Sequence, residues 1–193
     1  MAESLGNKKI KTAVFISGKG SNLKNLIKFS KNVKFPISVD LIISNNPKSK
    51  GLRYAKIFKI KKKIFNFKKK ILAEKKILKL LKKDKINFIC LAGFMKILSK
   101  NFIKNFKGKI INIHPSLLPK YKGLDVHERV IKNKEKYTGC TVHYVTPKLD
   151  SGMIILQKKI KISKKSTPKM IAKKVLIQEH KLYPKAILKI FNP

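Results

Sequence analysis

Lys11-Thr12-Ala13-Val14-Phe15-Ile16-Ser17-Gly18-Lys19-Gly20-Ser21-Asn22 is the stretch that decides the fold. Its first half is a β-rich apolar run of the length expected of one buried strand. The run breaks at a turn with two glycines, after which apolar Leu23, Leu26, Ile27 and Phe29 recur at helical spacing. Strand, glycine turn and helix in that order put the backbone N–H groups of Gly20, Ser21 and Asn22 at a helix N-terminus, where an anion is favoured. The motif is not a dinucleotide fingerprint, because Leu23 stands where a third glycine belongs. Nor is it a Walker loop, because no Gly-Lys-Ser/Thr closes it. A single phosphomonoester suits it better than a dinucleotide or a triphosphate. The same residues also suit a tight turn in which Ser21 caps the helix and nothing binds.

Working outward, the strand and helix patterns alternate. Val39–Ser44 reads as a second strand, Gly51–Phe58 as a helix, and Ile64-Phe65-Asn66-Phe67 as a short third strand within lysines. From Lys69 to Lys83, Ile71, Leu72, Ile77, Leu78, Leu80 and Leu81 recur at helical spacing, which predicts a core-facing helix with a solvated basic face. Phe88–Ala92 is a fourth strand and Lys109-Ile110-Ile111 the end of another. A helix is expected around Val126–Ile131, a strand over Tyr137–Val145 and a further strand over Met153–Ile160. The connection between these two strands is too short for a crossover helix, so they pair antiparallel. Thr167-Pro168 opens a last helix that carries Gln178-Glu179-His180. The fold class is therefore α/β, a mainly parallel twisted sheet of about seven strands with helices on both faces and ligands at the carboxyl edges of the strands.

The 193 residues suffice for one sizeable core, and no apolar run approaches the roughly 20 residues needed to cross a bilayer. Met1–Lys9 is polar and has no apolar segment behind it, so it reads as a frayed tail and not a signal peptide. Cys90 and Cys140 lack a CxxC spacing and suit a reducing cytoplasm. A net charge of +39 would ordinarily bring nucleic acid forward as a partner. Almost all of it is lysine, however, with arginine only at Arg53 and Arg129, and the lysines are spread over every segment. Base readout and bidentate phosphate contacts favour arginine, so no dedicated nucleic-acid partner is expected beyond salt-sensitive sticking.

The chemistry is placed at Asn112-Ile113-His114-Pro115-Ser116-Leu117-Leu118-Pro119. Asn112 and His114 emerge at the carboxyl edge of a strand, and period-two geometry points them the same way. An amide donor beside an imidazole suits charge developing on a carbonyl oxygen. A turn amide and a satisfied interior histidine are the equally available plain reading. Asp150, in the loop Thr146–Gly152, is the candidate carboxylate that would favour the His114 imidazolium, and it also fits a turn residue bonding its own backbone. His127, His143 and His180, with two scattered cysteines, have no metal-ligand spacing, so no metal is expected.

Ile16–Leu23, Leu91–Leu98, Asn112–Pro119, Leu149–Gly152 and Gln178-Glu179-His180 together resemble the phosphoribosylglycinamide formyltransferases, in order and over about Lys11–Pro184. The resemblance implies one formyltransferase domain over residues 1–193. A Rossmann-like half at about 10–100 would bind phosphate, and a half at about 101–190 would hold catalysis and folate. It implies transfer of a formyl group from 10-formyltetrahydrofolate to the amine of phosphoribosylglycinamide in purine synthesis, by a cytoplasmic monomer or homodimer with no membrane partner. On the matched positions, Asn112, His114 and Asp150 would be catalytic. Gly20, Ser21 and Asn22 would hold the substrate phosphate, and Glu179 its glycinamide end. Met95, Lys96, Ile97 and Leu98 would cradle the pteridine with Asn112 and the loop before Asp150, and Lys70 would meet the folate tail. The family often has arginine where Lys96 stands, so bidentate geometry is lost there. Methionyl-tRNA formyltransferase and formyltetrahydrofolate hydrolase share the Asn-x-His-Pro-Ser-Leu-Leu-Pro core, but each resembles this chain only alongside a further domain. A nonenzymatic basic RNA-binding protein would not need Asn112, His114 and Asp150 together.

Overall fold

The computed structural model describes residues 9–191. The expected N-terminal tail therefore lies outside the described residues, except for Lys9. Seven strands form one sheet in the order β3-β2-β1-β4-β5-β6-β7. They are β1 (Ile10–Ile16), β2 (Ile37–Ser44), β3 (Lys61–Ile64), β4 (Phe88–Leu91), β5 (Lys109–His114), β6 (Tyr137–Tyr144) and β7 (Ile154–Lys161). The first five run parallel, β6 is antiparallel to them, and β7, antiparallel to β6, points the same way as the first five.

Residue alternation along β1 explains why the sheet is covered twice. Val14 and Ile16 belong to one core with Leu23 and Leu26 of α1 (Ser21–Ser30) and with Ile171, Val175 and Tyr183 of α6 (Pro168–Phe191). Ala13 and Phe15 face the opposite core, with Ile77 and Leu81 of α3 (Lys70–Lys83) and Phe102 of α4 (Lys100–Asn105). Both faces of β1 and β4 are thus dry, and their sequences read as continuous apolar runs. Two further helices, α2 (Arg53–Ile57) and α5 (Val126–Lys132), complete the set.

Two expectations need correction. The third strand lies at Lys61–Ile64 and not at Ile64–Phe67, and all four of its residues are exposed. Among the described residues it is an edge strand paired only to β2, where lysines cost little and deter further pairing. In α3, Ile71 and Leu72 are 71% and 48% exposed. Ala73 and Glu74 are buried in their place. Glu74 Oε1 accepts from Ser99 N at 2.8 Å and Oε2 from the Ser99 hydroxyl, and Ser99 Oγ accepts in turn from Phe102 N at 3.0 Å. The helix is rotated to let a carboxylate secure the start of its neighbour. That neighbour, α4, has only six residues and was not expected at all.

The strand order reverses direction between β1 and β4, and a crevice opens at their carboxyl ends. Ser17 N donates to Gly93 O at 3.0 Å across that point, tying the two strand ends together.

Candidate active site

β5 ends at the crevice with Asn112 half-buried and His114 buried. Register places Asn112 opposite His143 of β6, with Asn112 Nδ2 and His143 Nε2 3.3 Å apart. His143 Nδ1 lies 2.9 Å from Tyr144 O, and a carbonyl only accepts, so this nitrogen carries the proton. Burial pushes the His143 pKa down, opposed by the Tyr144 carbonyl and Asp150 and assisted by His114. The ring is therefore neutral, and its Nε2 accepts one N–H of Asn112. The amide is thereby oriented, and its second N–H stays free for the cavity.

His114 is tethered at both ring nitrogens. Nε2 lies 2.8 Å from Tyr121 O and Nδ1 lies 3.4 Å from Asp150 Oδ2. Tyr121 O can only accept, so Nε2 carries a proton. Asp150 has φ 43 and reaches over β5 and β6, its Oδ1 3.7 Å from His143 Nε2. Gly123 N donates to Asp150 Oδ2 at 2.9 Å. The loop sits this close because Gly152 has no side chain: a Cβ there would lie 1.8 Å from Tyr144 O.

At the other end, Gly20 has φ 72 and would place a Cβ 2.7 Å from Gly51 Cα, so two glycine backbones meet under the start of α1. Asn22 Nδ2 donates to Glu179 Oε2 at 2.7 Å, and Asn22 Oδ1 is buried without a partner among the described residues. Burial pushes the Glu179 pKa up, and the Asn22 hydrogen bond partly offsets it.

These groups share a cavity of about 680 Å³. Asn112, His114 and Asp150 line it, as do Asn22, Glu179, Met95, Lys96, Ile97 and Leu98. Gly20 and Ser21 lie outside the lining, on the turn that delivers Asn22. Lys70 also lies outside it. A neighbouring cavity of about 460 Å³ shares Met95 and Lys96 and is lined by Lys68 rather than Lys70.

Four titratable lining residues have no site role expected from the sequence: His143, His127, Glu128 and Asp125. His143 has no local signal, because only the β5–β6 register sets it opposite Asn112. His127 sits on α5, and its buried Nδ1 has no partner among the described residues. Burial lowers its pKa, with Glu128 opposing. Among the described residues, no cluster of three His, Cys, Asp or Glu side chains can hold a metal. Both cysteines are buried, and desolvation raises the Cys90 thiol far out of reach and pushes Cys140 up to about 12. Neither is a nucleophile at neutral pH.

Residues 10–187 match the family described as Formyl transferase. A human protein named trifunctional purine biosynthetic protein adenosine-3 is 38% identical over 187 residues, which is 95% of this chain and 18% of that protein. The chain thus spans under a fifth of the length of that curated relative. Among solved structures, a phosphoribosylglycinamide formyltransferase from Brucella melitensis is 39% identical, with a TM-score of 0.89 over 95% of this chain and 96% of that one. The enzyme of the same name from Bacillus halodurans is 34% identical, with a TM-score of 0.90 over 94% and 95%.

Proposed function

Because this chain belongs to the formyl transferase family, we propose that it moves the formyl group of 10-formyltetrahydrofolate to the amine of phosphoribosylglycinamide, as one formyltransferase domain. The reading fits the names of its solved neighbours, which match nearly whole chain to whole chain. The observation that carries it is the meeting of Asn112, His114 and Asp150 at one cavity large enough for two small substrates.

In the reaction, a bond forms between the substrate nitrogen and the formyl carbon, the bond from that carbon to the folate nitrogen breaks, and one proton passes from the attacking nitrogen to the departing one. The N–H of Asn112 not used by His143 stabilises the oxyanion. His114 Nδ1, held only loosely by Asp150 at 3.4 Å, can turn to the same oxygen. Asp150 faces His114 Nδ1 at 3.4 Å and relays the proton, directly or through a water. The first turn of α1, at Gly20, Ser21 and Asn22, offers its backbone N–H groups to the substrate phosphate. Glu179, positioned by Asn22, meets the glycinamide end. Met95, Lys96, Ile97 and Leu98 pack on the pteridine, and Lys96 with Lys68 attracts the anionic folate tail.

The test is formyl transfer from 10-formyltetrahydrofolate to phosphoribosylglycinamide, initiator methionyl-tRNA and water, measured side by side. Transfer to the ribotide amine is expected. Transfer confined to either of the other two acceptors would overturn the assignment.

A further inference from the structure

We propose that Glu135 is a positioning residue for this reaction, holding the Tyr121 phenol and, through it, the backbone carbonyl that fixes the imidazole of His114. The proposal rests on the role given to His114 above and adds a residue outside the cavity lining. Glu135 lies in the short connection between α5 and β6. Its Oε1 accepts from Tyr121 Oη at 2.9 Å and from Lys120 Nζ at 2.9 Å. Tyr121 Oη accepts from Asn133 Nδ2 at 3.0 Å, and the Arg129 guanidinium sits 5.3 Å from the centre of the same ring. Arg129 Nη1 also donates to Lys122 O at 2.7 Å, so side chains from one small region clasp the loop from outside.

The clasp matters because Tyr121 is a non-glycine residue at φ 57. That conformation is disfavoured for an L-residue and persists only where the surroundings impose it. The other end of the same residue, its carbonyl, lies 2.8 Å from His114 Nε2. Freed of its anchor, Tyr121 relaxes towards negative φ and its carbonyl turns away from the ring. Nε2 then loses its acceptor, and the imidazole is no longer held with Nδ1 towards Asp150. Lys120 and then Tyr121 hold the Glu135 carboxyl below the usual carboxylate range, so the acceptor is ionised near neutral pH.

The experiment compares Glu135→Ala, Tyr121→Phe, their double variant and Glu135→Gln with the parent protein. The two single variants are expected to lower kcat by about tenfold with KM for both substrates within threefold, since ring placement and not binding is disturbed. The double variant should be no slower than the slower single, because both act through one link. Glu135→Gln keeps an oxygen acceptor for Tyr121 and should recover most of the loss. An independent reading comes from the ligand-free protein. The His114 Nε2–H resonance should exchange slowly with solvent in the parent and in Glu135→Gln, and broaden in Glu135→Ala and Tyr121→Phe. An unchanged resonance in Glu135→Ala or Tyr121→Phe, multiplicative kinetic losses in the double variant, or a pure KM effect overturns the proposal. If the parent fails to formylate the ribotide, the assignment of function fails and the resonance still decides the role of Glu135.

Discussion

The candidate-site end of β5 and β6 and the lysine edge formed by β3 and α3 are both rich in charged and polar side chains, yet they are built on opposite principles. At the first, Asn112, His114, His143 and Asp150 are mostly buried, and each has partners within about one hydrogen-bond length. At the second, Lys61, Lys62 and Lys63 are exposed, and the ion pair of Lys61 with Asp84 at 2.5 Å is a surface contact. Desolvation makes each lost partner costly at the first site, while water replaces any partner at the second. The first region therefore specifies a chemistry, and the second specifies little beyond solubility and an unattractive sheet edge.

Substitution breaks the contrast most sharply at the proposed catalytic residues. His114→Ala or Asp150→Asn should lower turnover by about 10²–10⁴-fold with the far-ultraviolet dichroism unchanged, since general acid–base and electrostatic roles have that scale. Near-normal turnover in both would remove the mechanism. A smaller effect is expected at Glu179, whose burial raises its pKa. The folded protein binds this proton more tightly than the unfolded chain, so stability is greater below the unfolded value of 4.5 and declines as pH rises through the folded value. Glu179→Gln keeps the oxygen that accepts from Asn22 and should flatten this decline, as read from urea midpoints across pH 4 to 8. The smallest effect belongs to the lysine edge. Lys62→Gln with Lys63→Gln should leave kcat within twofold and stability within about 0.5 kcal/mol per substitution. A larger loss would show that this edge is more than a solvated border.

The same contrast explains what was legible in the residues. Strands covered on both faces announce themselves as apolar runs, so β1, β2, β4 and β5 were placed nearly where they lie. The edge strand β3 has no such need, and its lysines hid it. The helix α3 was recognised by its period but rotated by Glu74, whose two bonds to Ser99 outweigh the exposure of Ile71 and Leu72. Asn112, His114 and Asp150 stood out because few chemistries need that trio. His143 and Tyr121 did not, because each acts through a partner distant in sequence or through its backbone.

Sequence alone determined the α/β alternation, the glycine turn before α1, and the identity of the polar groups at the strand ends. These follow from the local periodicity of apolar residues and from the few residue types that carry such chemistry. Tertiary structure decided the β5–β6 register, the turn of α3 and the loop that carries Tyr121 to His114. Those depend on which distant groups satisfy one another's hydrogen bonds once water is excluded, and no run of neighbouring residues encodes that.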